Sequence, residues 1–313
     1  MTPTSEGAPA AGLMDYAIGI DLGGTNIKAA AVRPSGEVLA ESSAGTRDGA
    51  GAAWAAGVRG LIGALEARLG GAAACVGIAS PGMAARDGRS MASVSGHLES
   101  LQGFDWVEYL GDGRSLALLN DGQAALLAEA WKGAAAGARD AVMLTLGTGV
   151  GGAVLTGGRL LTGHLGRGGH IGHICLDVDG EPDSLGIPGT LEEAVGNRTL
   201  AKRSRGLFDS TEALVAAHLA GDANATRVWL RAVYQLACAV TSMINVLDPE
   251  VFVIGGGIAQ AGGALFDPLE RYLGLMEWRP GGRRVRVVPA ALGAAAGALG
   301  AARHAMLNRP GLR

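Results

Sequence analysis

The sequence predicts an α/β protein built from two similar lobes. The first observation behind this prediction is a duplication, because the glycine-rich segment at residues 21–28 has a counterpart at 145–152. The second observation is that a similar order of apolar strands and helices follows each segment. The third is the length of 313 residues, since a single hydrophobic core stops growing at about 250 to 300 residues. Two lobes around a cleft satisfy all three observations.

The first lobe begins with three successive strands, which apolar runs predict at residues 16–21, 27–32 and 37–41. A helix is expected next because apolar residues recur every three or four positions along the following segment. The remaining predicted elements are this helix at 52–69, a strand at 74–79, a short buried strand at 116–119 and a helix from 122 to about 132.

The second lobe repeats this order. Its first strand starts at residue 141, a long helix is predicted at about 225–246, and a strand at 251–254 leads into three glycines. Two such βββαβα halves predict an actin-like (ribonuclease H-like) fold with a nucleotide and sugar cleft between the lobes.

Domain boundaries follow from these elements. We expect the first lobe to cover residues 14–120 and the second lobe to cover 121–293. A helix of small residues at 294–308 is expected to pack back on the first lobe. Residues 1–13 are expected to be a disordered head, since they contain no apolar pattern.

Charge and composition exclude several classes of partner. The net charge is −3, and the only lysines are Lys28, Lys132 and Lys202. No basic patch therefore indicates nucleic acid or an anionic membrane surface. The three cysteines are scattered, which favours reduced thiols. No segment has the pattern of a signal peptide or a bulky membrane span. The sequence thus predicts a cytoplasmic protein without a nucleic-acid or membrane partner.

The two glycine-rich segments predict phosphate-binding hairpins. Glycine lacks Cβ, so backbone N–H groups can approach an anion closely, and Thr25 and Thr148 add hydroxyl donors. An apolar run precedes and follows each segment, so each runs from strand to strand. This context differs from the helix-opening phosphate loop and from the dinucleotide turn. A nucleotide polyphosphate is the expected ligand.

Four motifs together resemble the ROK family of bacterial sugar kinases over residues 16–307. They are Gly-Ile-Asp-Leu-Gly-Gly-Thr-Asn at 19–26, Asn-Asp at 120–121, Leu-Gly-Thr-Gly-Val-Gly-Gly at 146–152 and Gly-His-Ile-Gly-His at 169–173. The family's repressor branch carries a winged-helix domain ahead of the kinase lobes. Only about fifteen residues precede the first strand here, so the resemblance implies a kinase and not a transcription factor.

The resemblance assigns roles to these residues. Asp121 is implied to be the general base that accepts the proton of a sugar hydroxyl, although an isolated Asn-Asp at a helix start more often only caps the helix. Asp21 is implied to bind Mg²⁺, directly or through water. ATP and Mg²⁺ are the implied cofactors. The implied nucleotide and phosphate ligands are Asp21, Gly23, Gly24, Thr25, Asn26, Lys28, Gly147, Thr148, Gly149, Gly256 and Gly257.

One departure from the family pattern concerns zinc. Family members usually carry Cys-x-Cys-Gly-x-x-Gly-Cys-x-Glu, whose cysteines and a histidine bind a structural zinc. Here Asp183, Leu185 and Thr190 occupy the cysteine positions and His173 that of the histidine. A closed zinc site needs four nitrogen or sulfur ligands, so we expect no zinc. His173 is then available to bond the sugar, and the alternative is a histidine bonded only by backbone groups.

Other departures concern the sugar. His170 stands where the family usually has a glutamate that binds the anomeric end of the sugar, and Ser100 replaces an asparagine. Glu192 matches the family's second acidic sugar contact, although acids at helix starts are common for electrostatic reasons alone. The implied substrate-binding residues are Gly82, Ser100, Asn120, His170, His173 and Glu192.

These observations predict an ATP- and Mg²⁺-dependent kinase that phosphorylates a hydroxyl of a hexose-type monosaccharide, with non-standard sugar specificity. Two alternatives stay open. One is a kinase that uses inorganic polyphosphate, which the hairpins would also bind. The other is a catalytically inactive, sugar-sensing binding protein. The resemblance also implies a homo-oligomer, either a dimer or a tetramer.

Overall fold

The computed structural model describes residues 14–47, 52–94, 98–111 and 113–309. The expected disordered head at 1–13 lies outside these described residues. The chain divides into two compact units, of which the first consists of Met1–Ala128 and Ala295–Arg313, and the second of Glu129–Ala294.

The first unit is built on a five-stranded sheet. Its strands are β1 Met14–Leu22, β2 Asn26–Val32, β3 Val38–Gly45, β4 Ala73–Ser80 and β7 Ser115–Asn120, and β5 Met83–Ala84 pairs separately with β6 Met91–Ser93. The helices up to this point are α1 Ala53–Leu69, α2 Trp106–Leu110 and α3 Asp121–Lys132. The strand order is β3-β2-β1-β4-β7, with β1 antiparallel to β2 and parallel to β4.

The second unit contains a second five-stranded sheet. Its strands are β8 Ala141–Leu146, β9 Val150–Thr156, β10 Arg159–Leu160, β11 Val251–Gly255 and β12 Arg286–Pro289. Its helices are α4 Leu191–Val195, α5 Leu200–Arg203, α6 Thr211–Leu219, α7 Ala223–Leu247 and α8 Gly263–Met276. The order β10-β9-β8-β11-β12 repeats that of the first sheet, with the same antiparallel and parallel pairs. The predicted duplicated α/β fold is confirmed.

Helix α9 (Ala296–Asn308) returns the chain to the first unit, where it packs on β1, β4 and β7. The approach is close, because a Cβ atom at Gly19 or Gly77 would lie 1.8 Å from a backbone carbonyl oxygen of α9. Only glycine in these strands permits such packing. Strands β1 and β4 are therefore covered by α9 and are almost entirely buried.

Helix α7 forms the centre of the second core. Its buried residues, which include Trp229, Val233, Leu236 and Val240, repeat at helical spacing, and they pack toward α4, α6 and α8. Among the described residues this is the one helix long and apolar enough to cross a membrane. Its contacts are those of a core helix.

A buried carboxylate joins the two ends of the second unit. Glu129, near the end of α3, has no exposed surface. Its Oε1 accepts hydrogen bonds from the backbone of Ala291 at 2.9 Å and Leu292 at 2.8 Å, and its Oε2 accepts one from Ala134 at 2.7 Å. Hydrogen bonds to a charged group contribute about 1.5 to 3 kcal/mol each. Glu129 thus fixes the point where the chain enters this unit to the segment where it leaves.

Candidate active site

The carboxyl ends of three parallel strands bring the predicted catalytic residues to one edge of the first sheet. Asp21 in β1 lies opposite Ala79 in β4, and Ser80 lies opposite Asn120 in β7. Asp121 follows as the first residue of α3. In open α/β sheets, ligands bind outside the carboxyl ends of the strands. The structure therefore places Asp21, Asn120 and Asp121 where chemistry is expected.

Asn120 fixes the local frame around Asp121. Its Nδ2 donates to the carbonyl oxygen of Gly82 at 2.8 Å, and its Oδ1 accepts from the backbone N–H of Gly122 at 2.9 Å. Asn120 thereby caps the start of α3 and joins it to the turn that contains Gly82. An amide can form up to four hydrogen bonds, so capacity for a sugar hydroxyl remains. Oδ1 of Asp121 also accepts from the N–H of Gly122 at 2.8 Å, so Asp121 shares the capping of α3 with Asn120.

Two carboxylates influence each other at this edge. Burial raises the pKa of Asp121, and the hydrogen bonds from Gly122 and Asn120 only partly oppose this effect. The pKa of Asp21 is raised to about 6, first by burial and then by the negative charge of Asp121, while Lys28 acts in the opposite direction. Like charges in a poorly solvated site favour protonation or a bound cation.

The first glycine hairpin joins β1 to β2. Gly24, Thr25 and Asn26 are exposed at its turn. The carbonyl oxygens of Gly23 and Thr25 are bound by Thr46, whose Oγ1 donates to the former at 2.6 Å and whose N–H donates to the latter at 2.8 Å. Because Thr46 binds these carbonyl groups, the exposed turn can direct its N–H groups to an anion.

The second hairpin joins β8 to β9 and is fixed in the same manner. The N–H groups of Asn197 and Arg198 donate to the carbonyl oxygens of Gly147 and Thr148, both at 2.9 Å. Gly149 closes the turn by accepting from the N–H of Gly147 at 2.9 Å. The sequence analysis identified both hairpins but missed Thr46, Asn197 and Arg198, which lie about 20 to 50 positions away in the chain.

Gly256 and Gly257 follow the end of β11, which is parallel to β8. Gly256 lies against the backbone of Leu146, the last residue of β8. The structure therefore brings this predicted nucleotide-binding segment beside the second hairpin.

Glu192 is attached to the second hairpin. Its Oε2 accepts from the N–H of Val150 at 3.0 Å, and its Oε1 forms an ion pair with Arg198. The carboxylate is almost fully buried. A carboxylate offers about four acceptor positions, so two remain for sugar hydroxyls. Glu192 thus contacts the predicted phosphate-binding turn and can still bind a sugar.

His173 is held by a carboxylate and not by backbone groups alone. Its Nδ1 lies 2.8 Å from Oδ2 of Asp183, while Oδ1 of Asp183 accepts from the N–H groups of Leu185 at 2.8 Å and Ile187 at 3.0 Å. Burial would raise the pKa of Asp183, but these hydrogen bonds outweigh it and the pKa is lowered. Asp183 therefore anchors the segment that holds zinc in the family.

The residues at the former zinc positions do not fit that metal. Leu185 offers no ligand atom, and Thr190 uses its hydroxyl to accept from the N–H of Glu193 at 3.4 Å. His173 and Asp183 remain, and two ligands do not make a closed tetrahedral site.

His170 precedes the 3-10 helical turn of Ile171–His173. Burial lowers its pKa, and the charge of nearby His173 lowers it further. The imidazole is therefore neutral at pH 7, with one donor and one acceptor.

Ser100 and Phe104 have structural partners. Ser100 is exposed, and its Oγ accepts from the indole N–H of Trp54 at 3.0 Å. Phe104 packs edge-on against Trp54, with ring centroids 4.8 Å apart, and also contacts Trp106 and Tyr109. Phe104 thus belongs to an aromatic cluster, whereas the Ser100 hydroxyl proton stays available to a ligand.

Gly297, in the first turn of α9, is a site residue that the sequence analysis missed. A Cβ atom at this position would lie 2.5 Å from Cγ and Oδ2 of Asp21. The absence of a side chain therefore lets α9 approach the Asp21 carboxylate. Nearly 280 positions separate the two residues in the chain, so no local pattern indicates the contact.

Two sheets of the same strand order, each with a glycine hairpin, define an actin-like two-lobe fold. The profile of the ROK family matches residues 17–307, and the chain belongs to this family. A glucokinase of Thermotoga maritima is 35% identical over 273 residues, which cover 80% of this chain and 85% of the relative. An N-acetylmannosamine kinase of Escherichia coli O157:H7 is 32% identical over 79% of this chain and 85% of its own length.

Comparison with solved structures supports the same family. The crystal structure of a ROK hexokinase from Thermus thermophilus superimposes with a TM-score of 0.82 at 32% identity, covering 93% of this chain and 98% of the hexokinase. The protein is therefore an ATP-dependent sugar kinase with the actin-like two-lobe fold, and it lacks the family's zinc-binding cysteines.

Proposed function

We propose that this kinase phosphorylates a hexose-type monosaccharide other than glucose, with Asp121 as the general base. The observation that carries the proposal is the placement of Asp121. It lies at the carboxyl edge of the first sheet, its pKa is raised, and Asn120 already caps the helix that follows. The names of the two enzyme relatives support a hexose or an amino sugar as the substrate class.

The proposed mechanism assigns one task to each group. Asp121 orients the acceptor hydroxyl and takes its proton as the hydroxyl oxygen attacks the terminal phosphorus of ATP. The bond from that phosphorus to the bridging oxygen breaks, and ADP leaves with the bridging oxygen. Burial raises the pKa of Asp121, and a carboxylate with a raised pKa is a stronger base toward a hydroxyl proton. The N–H groups of the two hairpins bind the phosphates. His170, His173 and Glu192 select the sugar.

Mg²⁺ fits the first unit. The Asp21 carboxylate has its pKa raised to about 6 by burial and by Asp121, and a nearby cation would relieve both effects. Asp21 would hold the metal, directly or through its waters, and Mg²⁺ supplies charge neutralisation on the nucleotide phosphates. We further propose a cytoplasmic homo-oligomer, dimer or tetramer, whose mass light scattering would measure.

The substrate is tested by an ADP-release assay with ATP and Mg²⁺ across aldoses, N-acetylated amino sugars, ketoses and inositols. We expect the highest kcat/KM for a hexose or amino sugar and a low value for glucose. A glucose value equal to the best in the panel would contradict the proposed specificity. Activity confined to inositols would contradict the substrate class.

Gly297→Ala tests the role of Asp21. The added methyl group must displace the Asp21 carboxylate, which is the movable end of a side chain, so the backbone need not shift. A misplacement of 1 Å can cost about a hundredfold in rate, and we expect a fall of about tenfold in kcat/KM together with a higher Mg²⁺ requirement. Steady-state kinetics and Mg²⁺ titrations of activity measure the two effects, and thermal melts check the fold.

Gly274→Ala in α8 is the matched control, because a Cβ there meets nothing within 4 Å. Alanine favours a helix over glycine by up to about 1 kcal/mol, so Gly274→Ala should not lose stability, and a loss confined to Gly297→Ala would report the displaced Asp21 carboxylate. Equal activity of both variants would show that Gly297 does not position Asp21.

Metal analysis tests the proposed absence of zinc. Purified protein should contain no stoichiometric zinc by elemental analysis, and a chelator should leave its Tm unchanged, because Asp183 holds the loop. Activity should still require added Mg²⁺. One tightly bound zinc per chain would contradict this expectation.

A further inference from the structure

The second unit contains a cavity of about 280 Å³ that none of the motifs described above explains. It lies between the segment around Asp177–Glu193, helix α5 and one face of α7. Basic and acidic side chains line it, chiefly Arg203, Arg227, Arg231, Asp177, Glu181 and Glu193.

Arg203 is a half-buried cation that forms no ion pair with a carboxylate of the described residues. Its Nε donates to Thr199 Oγ1 at 3.2 Å, and its Nη2 donates to the carbonyl oxygens of Val195 at 3.2 Å and Gly196 at 2.9 Å. Its Nη1 bonds no residue in the part of the chain that the structure describes. Burial lowers the pKa of Arg203 to about 10, and the charge of Glu193 only partly opposes this. An anion at Nη1 would offset the cost of burial.

Arg227 and Arg231 lie one turn apart on the exposed face of α7. Neither forms an ion pair with any described residue. Like charges at this spacing repel each other on a helix. Of the carboxylates in the cavity, Glu181 is paired with Lys202 at 3.5 Å. Three guanidinium groups thus line one cavity, and none of them is paired directly with a carboxylate in the part of the chain that the structure describes.

We propose that this cavity binds a phosphate monoester of a small polyhydroxylated compound, such as a phosphorylated sugar. Guanidinium groups bind phosphate oxygens through paired, charge-assisted hydrogen bonds. Asp177 and Glu193 can accept hydrogen bonds from hydroxyl groups of the same ligand. Its volume of about 280 Å³ lies at the low end of ligand pockets, which suits a monosaccharide phosphate better than a nucleotide.

The cavity is connected to the candidate active site within the same unit. Thr190 and Glu193, at the start of α4, line it. The neighbouring Glu192 bonds Val150 in the second hairpin. A ligand in the cavity would therefore lie next to the residue that bonds the second hairpin. Binding in the cavity does not rest on the proposed function.

Calorimetry with glucose 6-phosphate, in the absence of nucleotide, tests the binding. The variant R227Q/R231Q removes two charges at exposed helix positions and should fold normally, as its Tm would show. The control is Arg271→Gln, an exposed arginine of α8 that does not line the cavity. We expect the double variant to have one binding site fewer than the wild type, or an affinity at that site lower by more than tenfold. The control should match the wild type.

The number of binding sites seen by calorimetry distinguishes a failure of this proposal from a failure of the proposed function. If the catalytic site also binds the sugar phosphate, the wild type shows two sites and the double variant one. If the catalytic site does not bind the sugar phosphate, the wild type shows one site and the double variant shows none. Identical binding in all three proteins, or no binding to the wild type, would overturn the proposal. The proposal would also be overturned if the double variant differed from the wild type only in its oligomeric mass. The two arginines would then form an interface between subunits. Glucose should not compete with the sugar phosphate at the lost site, whereas inorganic phosphate should.

Discussion

Asp121→Asn should lower kcat by about a hundredfold to ten-thousandfold, the usual contribution of a general base. The substitution keeps the shape of the side chain and an oxygen that can accept from the N–H of Gly122, now at 2.8 Å. Asn120 continues to cap α3. Fold and ATP binding should therefore persist while proton transfer is lost. Steady-state kinetics on the best sugar, thermal melts and nucleotide titration separate these effects.

The control for Asp121→Asn is Asp222→Asn. Asp222 caps α7 by accepting from the N–H of Ala225 at 2.7 Å, and asparagine caps helices about as well as aspartate. This variant should keep full activity. If Asp121→Asn also retained near-normal turnover, Asp121 would be only a cap and the proposed mechanism would be wrong.

Periodicity predicted most of the fold because the core elements contain long apolar patterns. The buried strands β1, β4, β8 and β11 and the long helix α7 were all located to within a few residues. Strand β12 was not predicted, since only Val287 and Val288 are apolar in it. Its conformation depends on pairing with β11. A strand that forms because of such pairing is hard to recognise from the sequence of four residues.

The residues of the candidate site likewise fall into those that local sequence predicted and those that it did not. Asp21, Asp121 and the two hairpins were found because each lies directly after a strand, where the motif and the chemistry occupy adjacent positions. Thr46, Arg198 and Gly297 were missed because they act on those motifs from distant parts of the chain. Their own neighbourhoods show no motif, and only the folded backbone brings them into contact.

At His173, a contact with a carboxylate stands in place of the family's zinc site. The sequence indicated that the zinc ligands are missing but left open what holds the histidine. Asp183 occupies the first cysteine position and bonds both His173 and the backbone of its own loop. A single carboxylate therefore fixes the loop and occupies Nδ1 of His173, which leaves Nε2 as the ring nitrogen that Asp183 does not bond.

His170→Glu should raise kcat/KM for glucose relative to the native sugar by about tenfold to a hundredfold. The pKa of His170 is lowered, first by burial and then by His173, so the wild-type side chain is neutral and offers a single acceptor. A carboxylate would restore charge-assisted hydrogen bonds to the anomeric end of the sugar, each contributing about 1.5 to 3 kcal/mol when buried. Competition between glucose and the native substrate in one assay measures the ratio directly.

The matched control for His170→Glu is His164→Glu, which places the same charge at an exposed position of the same segment. It should leave the ratio unchanged, because water screens a charge at that position. We expect Ser100 to be a second determinant of sugar preference, since its side chain is shorter than the asparagine of the family pattern and its Oγ already accepts from Trp54. A wild type that phosphorylates glucose efficiently, together with a His170→Glu variant of unchanged sugar preference, would show that position 170 is structural. Selectivity would then have to come from Ser100, His173 or Glu192.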